Sequence, residues 1–253
     1  MKSILTSLVL VYGIACLGLF LLQRTFLYFP QPSYPVKGAK PVQFKNQKQL
    51  LSGWLINPEQ DKLIIYYGGN AETVELNQAF FESLLPEWSV LLLPYRGYGG
   101  NPGKPNEEGL CSDALLVFDQ ISSNYTSTLL MGRSLGSGVA TYVASKRETN
   151  GLILITPYDS IVNVAKEHYG LFPVKWLVTD RYDSHSRASQ ITIKVLMLIA
   201  EHDRVISRAR SDALAQAFNT KQLTRVVVKD SDHNNIGNQV EYAAQLRRFV
   251  DLL

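Results

Sequence analysis

At 253 residues the chain has room for one large α/β domain or two small ones. Its 46% apolar content suits a packed core and excludes wholesale disorder, and a net charge of +3 without a long basic run gives no support for nucleic-acid binding. Two cysteines, Cys16 and Cys111, with no CxxC pair and four scattered histidines, point away from a disulfide framework and from a zinc site.

Residues 4–22 are almost wholly apolar and carry no charge, and Lys2 and Arg24 flank them. At about 1.5 Å per helical residue this run nearly spans a hydrocarbon core of about 30 Å. Phe26, Tyr28 and Phe29 follow, as aromatic residues at a membrane interface would. The expectation is that residues 1–30 form a single-pass membrane anchor. The rival reading is cleavage as a signal peptide, or lipidation at Gly13-Ile14-Ala15-Cys16, although Gly13 fits that box poorly and the apolar run continues past it. The flanking charges balance too closely to assign an orientation. Nothing in the sequence speaks to oligomeric state.

Residues 31–40 read as an extended linker, because Pro32 and Pro35 disfavour helix at and before themselves. A globular domain over 41–253 follows. Strands are expected at 49–57, 63–67, 90–93, 128–131, 151–156, 195–200 and 225–228. Helices are expected at 72–85, 107–121, from 139 to 144, and at 239–252, with another capped by Ser207 and running to 218. Residues 94–105 form a Gly/Pro-rich loop, and 158–190 read as short helices making a small cap. Continuous apolar strands alternating with helices mean a mostly parallel sheet covered on both faces.

Gly132-Arg133-Ser134-Leu135-Gly136 fits Gly-x-Ser-x-Gly, the sharp strand-to-helix turn that presents a nucleophilic serine. An apolar strand precedes it and a helix-forming run follows, which is the context the pattern needs. Gly132 and Gly136 supply the small neighbours such a turn requires. A serine hydroxyl needs a base to take its proton, and the base needs an acid to orient it. Asp203 follows one strand and His233 the next, each at a carboxyl end, where parallel sheets gather reactive groups. Asp203 also has a plain reading as a cap for the next helix or a partner of Arg204 or Arg208, and Glu201 is the substitute acid. His168, His185 and His202 are placed less well than His233. The two donors for a developing oxyanion are expected to be the backbone N–H groups of Leu135 and of Asn70, in the Gly68-Gly69-Asn70 loop. Arg133 invites two readings, a structural ion pair or attraction of an anionic head group.

The ordered set Gln23-Arg24-Thr25-Phe26-Leu27-Tyr28-Phe29-Pro30, Tyr67-Gly68-Gly69-Asn70-Ala71, Pro94-Tyr95-Arg96-Gly97-Tyr98-Gly99, the serine turn and the Asp203 and His233 loops resembles the Bem-type, serine-aminopeptidase-like branch of the α/β-hydrolases. The resemblance covers nearly the whole chain. It implies the α/β-hydrolase fold and a serine hydrolase that needs no cofactor and no metal. Ester or thioester cleavage on an acyl-lipid, acyl-protein or small-molecule substrate is the first expectation. Peptide hydrolysis is the alternative, and a catalytically silent membrane-anchored binding module is the alternative of another class. Two positions depart from the family pattern: histidine is usual where Gly68 stands, and aspartate where Pro94 stands. Neither is one of the three reactive positions, so the departures bear on how the Asn70 loop is braced.

Overall fold

The computed structural model describes residues 2–47 and 49–253. It opens with a helix α1 (Lys2–Leu27) in which no residue is buried. By length and composition α1 can cross a membrane; its most apolar window has a mean hydropathy of 2.4. Residues 28–39 have no regular structure, yet they are strapped to the domain. The Gly99 N–H donates to the Gln31 carbonyl at 2.8 Å, Ser33 Oγ meets Glu75, and Val36 is buried.

Eight strands form one sheet: β1 (Lys40–Asn46), β2 (Gln49–Ile56), β3 (Lys62–Tyr67), β4 (Ser89–Leu92), β5 (Ser127–Arg133), β6 (Gly151–Ile155), β7 (Val195–Ala200) and β8 (Leu223–Val228). Their spatial order is β1-β2-β4-β3-β5-β6-β7-β8. The β1–β2 and β2–β4 pairs are antiparallel, and every other pair is parallel. Strands β3, β5, β6 and β7 are buried almost throughout, which explains their continuous apolar sequence. Successive side chains face opposite layers. Leu63 and Ile65 join the layer with Leu110 and Val117 of α3 (Glu107–Ile121), Val139 and Val143 of α4 (Leu135–Ala144), and Leu214 of α8 (Arg208–Ala217). Ile64 and Tyr66 join the layer with Phe81 of α2 (Gln78–Leu84) and with Leu246 and Phe249 of α9 (Val240–Val250).

Between β6 and β7 the chain forms three short helices, α5 (Ile161–His168), α6 (Val174–Leu177) and α7 (Ser184–Ala188), the segment expected to cap the domain. Two expectations need adjustment. The helix expected over 72–85 starts as a 3₁₀ turn at Val74–Asn77, because Glu72 is drawn back toward β3 by bonds to Tyr66 Oη and the Gly69 N–H. Ser207 stands just before α8 but makes no capping bond; its hydroxyl turns to Glu167 at 3.0 Å.

Candidate active site

Only one residue, Ser134, separates β5 from α4. It sits at φ 49°, ψ −117°, a conformation that L residues avoid and that costs roughly 1–3 kcal/mol. The surroundings hold it there. The Ser134 N–H donates to the Ile155 carbonyl of the adjacent strand at 2.8 Å. The Ser137 N–H and hydroxyl both donate to the Ser134 carbonyl, at 2.9 and 2.6 Å. Both flanking glycines are obligatory. A Cβ on Gly132 would lie 2.3 Å from the Gly136 carbonyl oxygen, and one on Gly136 would lie 2.0 Å from that of Tyr67.

The turn aims Ser134 Oγ at the loop after β8, where His233 Nε2 lies 2.9 Å away. On the other side of that ring, Nδ1 lies 2.8 Å from Asp203 Oδ2. Three residues spread over a hundred positions thus form one unbroken hydrogen-bond chain. The Asp203 and His233 side chains are 3% and 11% exposed, so little water competes with it. Asp203 serves two purposes: its Oδ1 accepts the N–H groups of Val205 and Ile206 at 2.9 and 2.8 Å, fixing the carboxylate from behind. Asp203 thus caps no helix, since α8 begins only at Arg208, and Arg208 pairs with Asp212 instead; the carboxylate is left to the turn and to the His233 ring. Glu201 does not reach the ring; its carboxylate accepts the Asp230 N–H at 3.0 Å. That bond and His202 N–H to Ser231 O, 2.8 Å, pin the acid-bearing loop to the histidine-bearing one. Asp232 tightens the His233 turn by accepting from the Asn234 and Asn235 N–H groups.

Asn70 lies beside Ser134 in the wall of the same cavity. Among the described residues, neither the Asn70 nor the Leu135 backbone N–H has a protein acceptor, so both are free to donate. The Asn70 loop is braced without the histidine usual at position 68. A Cβ on Gly68 would meet Val74 Cγ1 at 2.4 Å, so Val74 occupies the space a larger residue would need. Tyr95 Oη donates to the Gly68 carbonyl at 2.8 Å, and Tyr98 Oη and the Phe29 N–H reach Asn70 Oδ1 at 2.9 and 3.0 Å. Burial, reinforced by Glu72, pushes the Tyr95 hydroxyl well above the usual phenol range, so it stays a donor.

Glu72 is the residue sequence reasoning missed. Its carboxylate accepts from the Gly69 N–H, Tyr66 Oη and Asn77 Nδ2, and lies 3.6 Å from Arg133 Nη1. A lone glutamate after a glycine loop carries no pattern that could have flagged this. Arg133 takes the structural role. Its Nη2 donates to the carbonyls of His233 and Asn234 at 3.1 and 3.4 Å, tying the serine turn to the histidine loop. Burial opposes the Arg133 charge, but Glu72, Tyr66 and Tyr242 outweigh it and hold its pKa above the ordinary arginine value.

Ser134 opens into a cavity of about 350 Å³ with an apolar lining. Leu135, Tyr158, Ile161, Val164 and Phe172 form part of its wall. Leu19, Gln23, Phe26 and Leu27 of α1 form another part, which no local sequence signal announces. Gln23 Oε1 accepts from the Thr179 N–H at 2.8 Å, and Arg24 pairs with Asp180 at 3.0 Å.

With this geometry in view, the comparisons with known proteins are consistent. The chain is 31% identical over 229 residues to an uncharacterized protein of Mycobacterium tuberculosis, covering 84% of this chain and 81% of that one. It is 34% identical over 170 residues to the lysophosphatidylserine lipase ABHD12 of Bos taurus, covering 57% of this chain but only 42% of the relative. The Pyrococcus furiosus esterase Pf2001 superposes with a TM-score of 0.68 over 87% of this chain and 98% of the other, at 16% identity, which establishes the α/β-hydrolase fold. Residues 23–235 match the serine hydrolase (FSH1) family, and the chain belongs to it.

Proposed function

We propose that the protein hydrolyses the carboxylic ester or thioester bond of an acyl lipid or acyl-protein through an acyl-enzyme. Ser134 Oγ attacks the carbonyl carbon while His233 Nε2 takes its proton. Asp203 holds the ring in the tautomer that keeps Nε2 free to accept, and stabilises the imidazolium that forms. The negative charge that develops on the substrate oxygen is met by the N–H groups of Leu135 and Asn70, each worth about 2.7–4 kcal/mol to the transition state. His233 then protonates the leaving group, and water activated by the same ring cleaves the acyl-enzyme. The observation that carries this reading is the hydrogen-bond chain from Asp203 through His233 to Ser134, ending at an apolar cavity. A cavity of this size lies at the small end of the range for ligand pockets, about 300–1,000 Å³, and suits one acyl chain rather than two. The relative that acts on a single-chain phospholipid supports the lipid reading.

Residues 1–30 are read as a retained membrane anchor, 31–40 as the strap, and 41–253 as a hydrolase domain of the Bem-type branch, with residues 158–190 as its cap. Retention is supported by α1 itself, since cleaving it would remove Leu19, Gln23, Phe26 and Leu27 from the cavity wall. A fluorophosphonate probe tests the chemistry. The full chain should be labelled, and Ser134→Ala should abolish labelling and esterase activity. A folded wild-type chain that neither labels nor turns over any short-chain ester would overturn the reading.

A further inference from the structure

Tyr12 lies deep in the apolar run of α1, ten residues before Leu22, or about 15 Å along the helix axis. If residues 4–22 occupy a hydrocarbon core about 30 Å thick, Tyr12 is near its middle. Yet Tyr12 touches the cap. Its hydroxyl donates to the Leu171 carbonyl at 2.9 Å, and its ring stacks on Phe172 with centroids 5.7 Å apart and planes at 6°. The segment that makes these contacts, residues 169–176 from the end of α5 into α6, must therefore lie within the hydrocarbon alongside α1.

Its composition matches that depth. Leu171 is 88% exposed and Trp176 84%, and Tyr169 is half-exposed beside them. Isolated apolar residues on a surface need no explanation. Here they adjoin a helix long and apolar enough to span a bilayer, and the carbonyl among them is satisfied by the Tyr12 hydroxyl, as a water-free setting requires. Lys175, on the same segment, has a stem long enough to carry its ammonium toward head groups.

We propose that residues 169–176 are a second membrane-insertion element, and that the acyl chain passes from the leaflet directly into the cavity between this segment and α1. The route rests on the acyl-hydrolase and anchor readings above. Leu19, Tyr169 and Phe172 line the cavity together with Asn70 and Ser134. Phe29 meets Asn70 just past the end of α1, about 12 Å of helix beyond Leu19, which puts Leu19 toward the outer end. Leu19 lies three residues inside the apolar run, so the outer end of the cavity is at hydrocarbon depth. An acyl chain then reaches Ser134 without crossing water, and only the scissile carbonyl and head group stay at the interface.

The test uses the full chain reconstituted in phosphatidylcholine vesicles. Phospholipids brominated on their acyl chains should quench a tryptophan component that Trp176→Phe lacks, and aqueous iodide should leave that component alone. Quenching by iodide and not by brominated chains would overturn the insertion. Protection that follows protein density rather than lipid bromination would overturn it too, and would assign the patch to a second copy of the chain. In the second arm, Leu171→Glu with Trp176→Glu should lower kcat/KM at least about tenfold on a single-chain acyl ester carried in the vesicles. A water-soluble butyryl ester should be turned over within about twofold of wild type, which also shows that the variant folds. Equal rates on the vesicle substrate would overturn the route. If the wild type turns over neither ester, the hydrolase reading and the route both fall, while insertion is decided by the quenching alone.

Discussion

The two sides of the cavity are held by different kinds of bond. Around Ser134, Asp203 and His233 the loops are fixed by backbone groups close in sequence, such as Ser137 on Ser134, Val205 and Ile206 on Asp203, and Asn234 and Asn235 on Asp232. Opposite them, α1 is joined to the segment between β6 and β7 by side chains more than 150 residues apart: Tyr12 to Leu171, Gln23 to Leu177 and Arg24 to Asp180. The first kind sets reacting atoms to within fractions of an ångström. The second leaves a seam between two apolar surfaces. Chemistry needs the former, because a small misplacement of a base or donor is expensive. The latter would serve the admission of a flexible chain, as proposed above.

Substitutions on the chemical side should act on rate or on folding whatever the substrate. Asp203→Asn presents the wrong hydrogen-bonding pattern to His233 Nδ1, and kcat should fall about 10⁴-fold with little change in melting temperature. Glu201→Gln should lose far less; the reverse order in a steady-state assay would move the orienting role to Glu201. Gly136→Ala drives a Cβ against the Tyr67 and Gly68 carbonyls, both backbone, so no side chain can give way. It should destabilise the chain by about 3 kcal/mol, visible in denaturant melts, while Gly237→Ala, with nothing within 4 Å, should change little. Arg133→Ala releases the His233 and Asn234 carbonyls and removes the one cation among Glu72's four partners. Activity should drop about thirtyfold, roughly 2 kcal/mol. The loss should be equal on neutral and anionic esters. A selective loss on anionic esters would restore Arg133 as a head-group contact.

The same contrast decides what could be read from the sequence. Strands β3, β5, β6 and β7 are legible because burial on both faces writes them as unbroken apolar runs. Ser134, Asp203 and His233 are legible because each ends a strand in a fixed chain order, and the structure brings the three together. Glu72 is not, because its four partners come from β3, the Gly69 turn, Asn77 and Arg133, and no spacing records them. The burial of Tyr28, whose hydroxyl meets Asp180 and Tyr182, is likewise a meeting of distant segments. The same holds for the second role of α1. Its apolarity is plain, but a helix that faces lipid and one that lines a cavity have the same composition.

The seam side yields the smallest effect and the most specific one. Leu19 of α1 is partly buried and lines the same cavity as Ser134, about 12 Å along the helix from Leu27. Leu19→Trp adds bulk there and leaves the serine turn, the His233 loop and the donor N–H groups untouched. A long acyl chain must fill the outer end of the cavity, whereas a short one need not reach it. Across p-nitrophenyl esters of graded length, kcat/KM should fall about tenfold for the palmitoyl ester and progressively less toward the butyryl ester. Fluorophosphonate labelling of Ser134, which needs only the inner end, should keep its rate. A uniform loss across the series would mean that α1 supports the reacting groups themselves, and the division between the two sides of the cavity would not hold.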